Sequence, residues 1–169
     1  MEIKRSLNTK FAETFGPKKT TQYFSPGRIN LIGEHTDYNG GHVFPASITY
    51  GTQGVAAPRD DNKILVYSTN FDDIGVISFT LDELEYDKKA NWANYVKGMV
   101  LKLKEAGHSI DHGFELLVEG TIPNGAGLSS SASLELLVGV VLEDLFDLKT
   151  DRLEPVSYTH LRAHETRSN

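Results

Sequence analysis

Cysteine is absent from the 169-residue sequence, and no apolar run approaches the roughly 20 residues that a transmembrane helix needs. Without cysteine there is no disulfide framework, no zinc–thiolate site and no thiol nucleophile. Residues 1–11 contain no continuous apolar stretch, so they do not predict a signal peptide. We therefore expect a cytoplasmic protein without a membrane partner.

Basic residues are also in deficit, with 17 lysines and arginines against 23 acidic residues and a net charge of -6. Nucleic acids and anionic membranes select a basic surface, so neither is expected as the main partner. A local basic pocket for phosphate remains compatible with this balance. The apolar share of 39% and the charged share of 24% are typical of a soluble globular protein with one hydrophobic core.

Hydrophobic periodicity and turn residues predict eight elements along the chain. Helices are expected over residues 1–15, 92–106 and 129–146. Strands are expected over residues 24–32, 43–57, 63–68, 75–81 and 114–120. Pro26-Gly27 interrupts the first of these strands, and Gly107 ends the second helix.

The most informative stretch is residues 123–132, Pro-Asn-Gly-Ala-Gly-Leu-Ser-Ser-Ser-Ala. Its two glycines allow close approach of the backbone to a ligand, and its three serines stand where the last helix begins. A helix N-terminus offers unpaired N–H groups and a partial positive charge, both of which suit phosphate. The alternative is a simple helix cap after a flexible turn, although one serine would suffice for that.

A second dense segment covers residues 26–41 and places Arg28, Glu34, His35 and Asp37 between glycines. Carboxylates and an imidazole at this spacing are suited to the hydroxyl groups of a small polyol. One histidine with two carboxylates is a weak indication of a transition metal. A polar turn with a surface arginine explains the same residues about equally well.

Together the two segments resemble the galactokinases, members of the GHMP kinase superfamily. Residues 27–41 are similar to the galactokinase signature, and residues 125–132 are similar to the superfamily's ATP-binding motif. A third similarity is residues 91–98, Asn-Trp-Ala-Asn-Tyr-Val-Lys-Gly. The resemblance covers residues 1–154.

The resemblance implies an enzyme that uses ATP and Mg²⁺ to phosphorylate galactose at its anomeric hydroxyl. Arg28 would stabilise charge on the transferred phosphoryl group, and Ser131 would be a magnesium ligand. Galactose would be bound by Glu34, His35, Thr36 and Asp37. The ATP site would comprise Ser68, Trp92, Gly125, Ala126, Gly127, Leu128, Ser129, Ser130 and Ser131. For Trp92, a role as a core aromatic residue is about as well supported.

The implied fold is α/β (α+β), a mixed sheet with packed helices like the N-terminal GHMP kinase domain, which is ribosomal protein S5 domain 2-like. We expect this domain over residues 1–154, truncated, and a non-native tail over residues 155–169. The aspartate that serves the family as base, and a glutamate that binds a second magnesium ion, are not found between Leu148 and Asn169. The chain alone is therefore expected to be inactive.

Two other functions remain open at this point. One is a related GHMP sugar kinase, such as an N-acetylgalactosamine kinase. The other is a galactokinase-like sensor that binds sugar and ATP without catalysis. Nothing in the sequence indicates a protein partner or an oligomeric state.

Overall fold

The computed structural model describes residues 2–32, 42, 44–122 and 130–149, and in this part of the chain one sheet of five strands forms the centre. The strands are β1 (Thr21–Ile32), β2 (Phe44–Pro58), β3 (Lys63–Ser68), β4 (Ile77–Thr80) and β5 (Phe114–Gly120). Their order is β1-β2-β5-β3-β4, and the β3–β5 pair is parallel while the other pairs are antiparallel. This mixed sheet with packed helices confirms the expected α/β fold.

In the described residues three α-helices cover the sheet: α1 (Glu2–Phe15), α2 (Ala93–Glu105) and α3 (Ser130–Leu145). Each begins and ends within one residue of its predicted bounds. Short 3-10 helices at Thr69–Phe71 and Lys88–Ala90 complete the described elements. None of the helices in the described part is long and apolar enough to span a membrane.

The helices pack on opposite faces of the sheet because successive strand residues point to opposite sides. Leu7 and Phe11 of α1 contact one set of strand residues. That set is Val55, Ala57, Tyr67 and Leu117. Helices α2 and α3 pack over the alternate set, which includes Ala56, Val66 and Leu116. The sheet is therefore the middle layer of three.

The apolar stripe of α2 explains both its position and its length. Val96, Met99, Val100 and Leu103 recur at helical spacing, and all four are buried. The helix ends before Gly107, whose φ of +92° is a conformation that glycine adopts readily.

Strand β1 differs from its prediction because it starts at Thr21 and continues through Pro26-Gly27. Proline cannot donate a ladder hydrogen bond, and the register between β1 and β2 shifts between Pro26 and Arg28. The predicted break is thus a local irregularity within a longer strand. Strand β4 is shorter than predicted, since Gly75 belongs to a turn and has a φ of +71°.

Candidate functional site

An open cavity of about 440 Å³ lies where β3 and β5 end and where α2 and α3 begin. Because β3 and β5 are parallel, their carboxyl ends meet at the same edge of the sheet, which is where α/β proteins commonly bind ligands. The hydroxyl-bearing residues Ser68, Ser130 and Ser131 line the cavity, together with the apolar side chains of Trp92, Val118 and Ile122. Four of the residues predicted to bind ATP therefore share one cavity.

Trp92 occupies the boundary between this cavity and the core. Only 6% of the residue is exposed, and it packs in the large core cluster beneath α2 and α3. It also lines the cavity, and its buried Nε1 has no hydrogen-bond partner in the described part of the chain. Trp92 is thus a core residue that also lines the cavity, and its contact with a nucleotide stays a prediction. Buried indole N–H groups usually have a hydrogen-bond partner.

The ends of β3 and β5 are joined by an asparagine that the sequence reasoning missed. Asn70 accepts a hydrogen bond from the N–H of Gly120 at 2.6 Å and donates one from Nδ2 to the Gly120 carbonyl at 2.9 Å. Ser68 precedes it, is 4% exposed, and accepts a hydrogen bond from the N–H of Asn70 at 3.3 Å. An asparagine just after a strand end carries no sequence signal that separates this role from an ordinary turn.

Ser133 fixes the start of α3 against the sheet. Its hydroxyl donates to the Ser25 carbonyl at 2.8 Å and contacts the N–H and the hydroxyl of Thr52 at 3.1 and 3.0 Å. Further along the helix, the Tyr23 hydroxyl donates to Asp144 at 2.6 Å. Partial burial raises the pKa of the Tyr23 phenol and so favours the protonated donor.

Arg28 lies in β1 opposite Ser47, where it is partly buried. It is not among the described residues that line the cavity. Glu34, His35, Thr36 and Asp37 lie outside the described residues, as do Gly125, Ala126, Gly127, Leu128 and Ser129. The expected non-native tail, residues 155–169, also lies outside them.

The donor atoms around the cavity suit a hard cation only in part. In the stretches that the structure describes, no three histidine, aspartate or glutamate side chains group together as a metal site. Ser130 and Ser131, which carry hydroxyl groups, line the cavity where α3 begins. Magnesium is commonly bound by few protein ligands plus substrate phosphates and water, so a hydroxyl beside a nucleotide fits such an ion.

A second open cavity, of about 570 Å³, lies beside β4 and contains none of the predicted site residues. Its walls include Asp82, Glu83 and Asp87 as well as the mostly buried Lys97. The Lys97 ammonium donates to the Glu85 carbonyl at 3.3 Å and lies 5.1 Å from the Phe79 ring centroid. Its cation is therefore already stabilised within the fold.

Two family models match the chain in separate segments. The galactokinase galactose-binding signature matches residues 9–58, which include Arg28 and residues 34–37. The N-terminal domain of the GHMP kinases matches residues 94–167. The chain therefore carries both a galactokinase signature and a GHMP kinase N-terminal domain.

Among curated proteins, the chain is 59% identical over 153 residues to the galactokinase of Ligilactobacillus salivarius strain UCC118. It is 64% identical over 152 residues to the galactokinase of Lactococcus lactis subsp. cremoris strain MG1363. These alignments cover 90% and 89% of this chain, but 40% and 38% of the relatives. The chain thus spans about 40% of the length of the curated relatives it matches.

Solved structures give the same relationship. The chain is similar to Lactococcus lactis galactokinase complexed with galactose, with a TM-score of 0.93, 59% identity, and coverage of 96% of this chain and 42% of that one. It also resembles Methanococcus jannaschii mevalonate kinase, with a TM-score of 0.71, 16% identity, and coverage of 92% and 49%. At that identity the second likeness shows the shared fold alone.

Proposed function

Since this chain carries the galactokinase signature and a GHMP kinase N-terminal domain, we propose that the protein transfers the γ-phosphoryl group of ATP to the anomeric hydroxyl of D-galactose. The nucleotide half of this proposal is supported by the cavity at which Ser68, Trp92 and Ser131 meet. The sugar half is supported by the similarity to a galactokinase solved with galactose. Phosphoryl transfer depends mainly on positioning and charge neutralisation, which such a site supplies.

The nucleotide phosphates would lie at the N-terminus of α3, where N–H groups lack helical partners and the helix dipole is positive. The flat apolar base would pack against the wall that contains Trp92 and Val118, and the unpartnered indole N–H of Trp92 would meet an acceptor on the ligand. Arg28 would add a positive charge at the transferred phosphoryl group.

Magnesium would be held by the Ser131 hydroxyl together with phosphate oxygens. When bound, such an ion neutralises the charge on the transferring phosphate. The role of Ser131 would be to hold that ion at the N-terminus of α3, and the role of the helix start would be to orient the phosphates.

The sugar would be recognised by residues of the signature segment. Glu34 and Asp37 would accept hydrogen bonds from ring hydroxyls, with His35 and Thr36 beside them. Because a site built to hydrogen-bond a hydroxyl rejects analogues that leave its groups unpaired, this segment would also set specificity.

The 169-residue chain by itself is expected to show no galactose-dependent turnover. The galactose O1 atom needs a base nearby, and the resemblance puts that aspartate in a segment not found between Leu148 and Asn169. Phe44 and Tyr50, on the part of the β1–β2 pair that extends beyond β5, are each more than half exposed, and so is Phe24 in the neighbouring part of β1. Apolar surface of this kind fits a face that the rest of a longer protein covers.

The test is ADP release by the full-length protein with galactose and, separately, with N-acetylgalactosamine. We expect turnover with galactose, a lower kcat and a higher magnesium requirement for Ser131→Ala, and a smaller effect for Ser129→Ala. Preference for N-acetylgalactosamine would identify a related sugar kinase, and sugar binding without ADP release would identify a sensor. Equal, small effects of the two serine variants would indicate that Ser129 and Ser131 only cap the helix.

The sugar-binding residues have their own test in the same protein. Asp37→Ala should raise the galactose KM sharply and change the ATP KM little, because a lost carboxylate leaves a substrate hydroxyl unpaired. Unchanged galactose kinetics would contradict the role of Asp37 without affecting the assignment of the nucleotide cavity.

A further inference from the structure

Asn91, just before Trp92, has a backbone conformation that glycine normally occupies. Its φ is 48° and its ψ is -126°. This combination lies far from the left-handed helical region, in which asparagine is tolerated at a ψ near +47°. Among the described residues only Asn91 and Asp147 have a positive φ without being glycine. An L-residue in such a sparsely populated region persists only where the surroundings hold it, and such residues cluster at functional sites.

The backbone at Asn91 is held by a neighbour, not by its own side chain. The Asn94 amide donates to the carbonyls of Asp87 at 2.8 Å and Asn91 at 2.9 Å, and it accepts from the N–H of Asp87 at 3.0 Å. These bonds use only the main chain of residue 91. Glycine at this position would keep every one of them and would remove the strain, so the turn itself gives no reason for an asparagine.

The surroundings of Asn91 supply a reason. Asn91 lines the nucleotide cavity, directly before Trp92, whose buried indole N–H lacks a partner in the described part of the chain. The side-chain amide of Asn91 has no hydrogen bond to any described residue either. A carboxamide both donates and accepts, which matches the edge of a base or the hydroxyls of a ribose.

We propose that Asn91 contacts the nucleoside part of the bound nucleotide, and that the strained backbone conformation is retained for this contact. The inference rests on the proposed nucleotide function of the cavity. It adds a specificity residue outside both the serine-rich segment and the signature segment.

The test compares Asn91→Gly with the unchanged full-length protein in thermal unfolding and in calorimetric titrations with Mg-ADP, adenosine and pyrophosphate. Asn91→Gly should raise the unfolding midpoint by a few degrees, because the strain is relieved. It should weaken Mg-ADP and adenosine binding by about fivefold, the size of one net hydrogen bond, and leave pyrophosphate binding unchanged. Removing a side chain that only supports the turn would lower the unfolding midpoint, so a higher midpoint together with weaker nucleoside binding supports the proposed contact.

Asp147→Gly is the matched control, because Asp147 has the same φ of 48° but lies just after α3 and does not line the cavity. It should leave all three affinities unchanged. Undiminished Mg-ADP and adenosine binding by Asn91→Gly, or a lower unfolding midpoint, would overturn the assignment of Asn91 while the nucleotide site stands. If the unchanged protein binds none of the three probes, the proposed function falls, and this inference falls with it.

Discussion

The hydroxyl oxygen of Ser133 lies 2.8 Å from the carbonyl oxygen of Ser25, which joins the first turns of α3 to the strand that carries Arg28. The same hydroxyl accepts from the N–H of Thr52 at 3.1 Å, and it contacts the Thr52 hydroxyl at 3.0 Å. A serine hydroxyl has one donor and two acceptor sites, so all of its capacity is used. The start of α3, with Ser131 on it, is therefore fixed to two strands by one buried side chain.

Replacing Ser133 with alanine should lower stability measurably. The variant leaves the N–H of Thr52 and the carbonyl of Ser25 unsatisfied in the interior, which costs about 1–3 kcal/mol. Urea unfolding of Ser133→Ala beside Ser130→Ala measures this, because Ser130 is exposed in the same helix and the two share any gain in helix propensity. Equal midpoints for the two variants would show that the Ser133 contacts are energetically neutral.

Much of the fold was predictable because its elements have strong periodicity. The apolar stripes of α2 and α3 and the glycine after α2 fixed helix bounds to within one residue. The strand through Pro26 was harder to predict, because whether a proline ends a strand depends on the partner strand. Here the register between β1 and β2 shifts after Pro26, so the strand continues past the proline. Strand order was also beyond reach without the family resemblance, since β5 inserts between β2 and β3.

The fold also brings together three residues that the family resemblance assigned to ATP binding, and that role stays a prediction. Ser68, Trp92 and Ser131 share one cavity because the parallel β3–β5 pair brings distant segments to one edge. The hydrogen bonds of Asn70 and the backbone conformation of Asn91 were not predicted, since the sequence does not distinguish such asparagines from others in loops. A positive φ is most common for glycine, asparagine and aspartate, but the residue type alone does not say which of them adopts it.

Glu115 is a charged residue that is buried in the fold, which its sequence context did not predict. Replacing it should lower the free energy of unfolding substantially. Its carboxylate is 2% exposed and lies 2.6 Å from the Lys18 ammonium and 2.5 Å from the Arg59 guanidinium. Glu115→Gln leaves those two cations without their buried anion, and breaking such a pair costs about 3 kcal/mol.

Chemical denaturation of Glu115→Gln measures that cost against Glu105→Gln, which removes an exposed partner of Lys102. The exposed pair is expected to contribute less than about 0.5 kcal/mol. A Glu115→Gln variant as stable as Glu105→Gln would mean that the buried pair gains no more than its desolvation costs.

Gly113 is required by the close approach of another backbone, so Gly113→Ala should destabilise the fold strongly. A Cβ atom there would lie 1.8 Å from the Lys63 carbonyl oxygen, a backbone atom that cannot rotate away. The main chain of Gly113 also bonds both Arg59 and Asp61. Displacing it should cost more than about 3 kcal/mol, the upper range for overpacking.

The matched control for Gly113→Ala is Gly120→Ala, at the other end of β5. The nearest atom to a Cβ on Gly120 is Asn70 Oδ1 at 3.5 Å, which is ordinary contact. Thermal unfolding should separate the two variants by several degrees. Similar midpoints would show that the segment before β5 shifts easily.

Asp61 should make stability depend on pH in the acid range. Two hydrogen bonds from the Arg59 guanidinium, at 2.8 and 2.7 Å, and one from the Lys63 N–H at 3.1 Å hold the pKa of the Asp61 carboxyl well below its usual range. The unfolded chain, with the ordinary pKa of about 4, binds this proton more readily than the fold does, so the stabilisation is complete above that pH. It is lost as the pH falls through the lower folded pKa.

Unfolding midpoints of the unchanged chain and of Asp61→Asn between pH 7 and pH 2 test this dependence. The unchanged chain should have the higher unfolding midpoint, and its advantage over Asp61→Asn should be largest at neutral pH. The advantage should shrink steadily below about pH 4, because Asp61 is then protonated and loses its charge, whereas asparagine is uncharged at every pH. Since 42% of the Asp61 side chain is exposed, solvent screening keeps the difference small, and high salt should reduce it further. Parallel profiles across the whole range would show that the Arg59–Asp61 pair contributes nothing to stability through its charge.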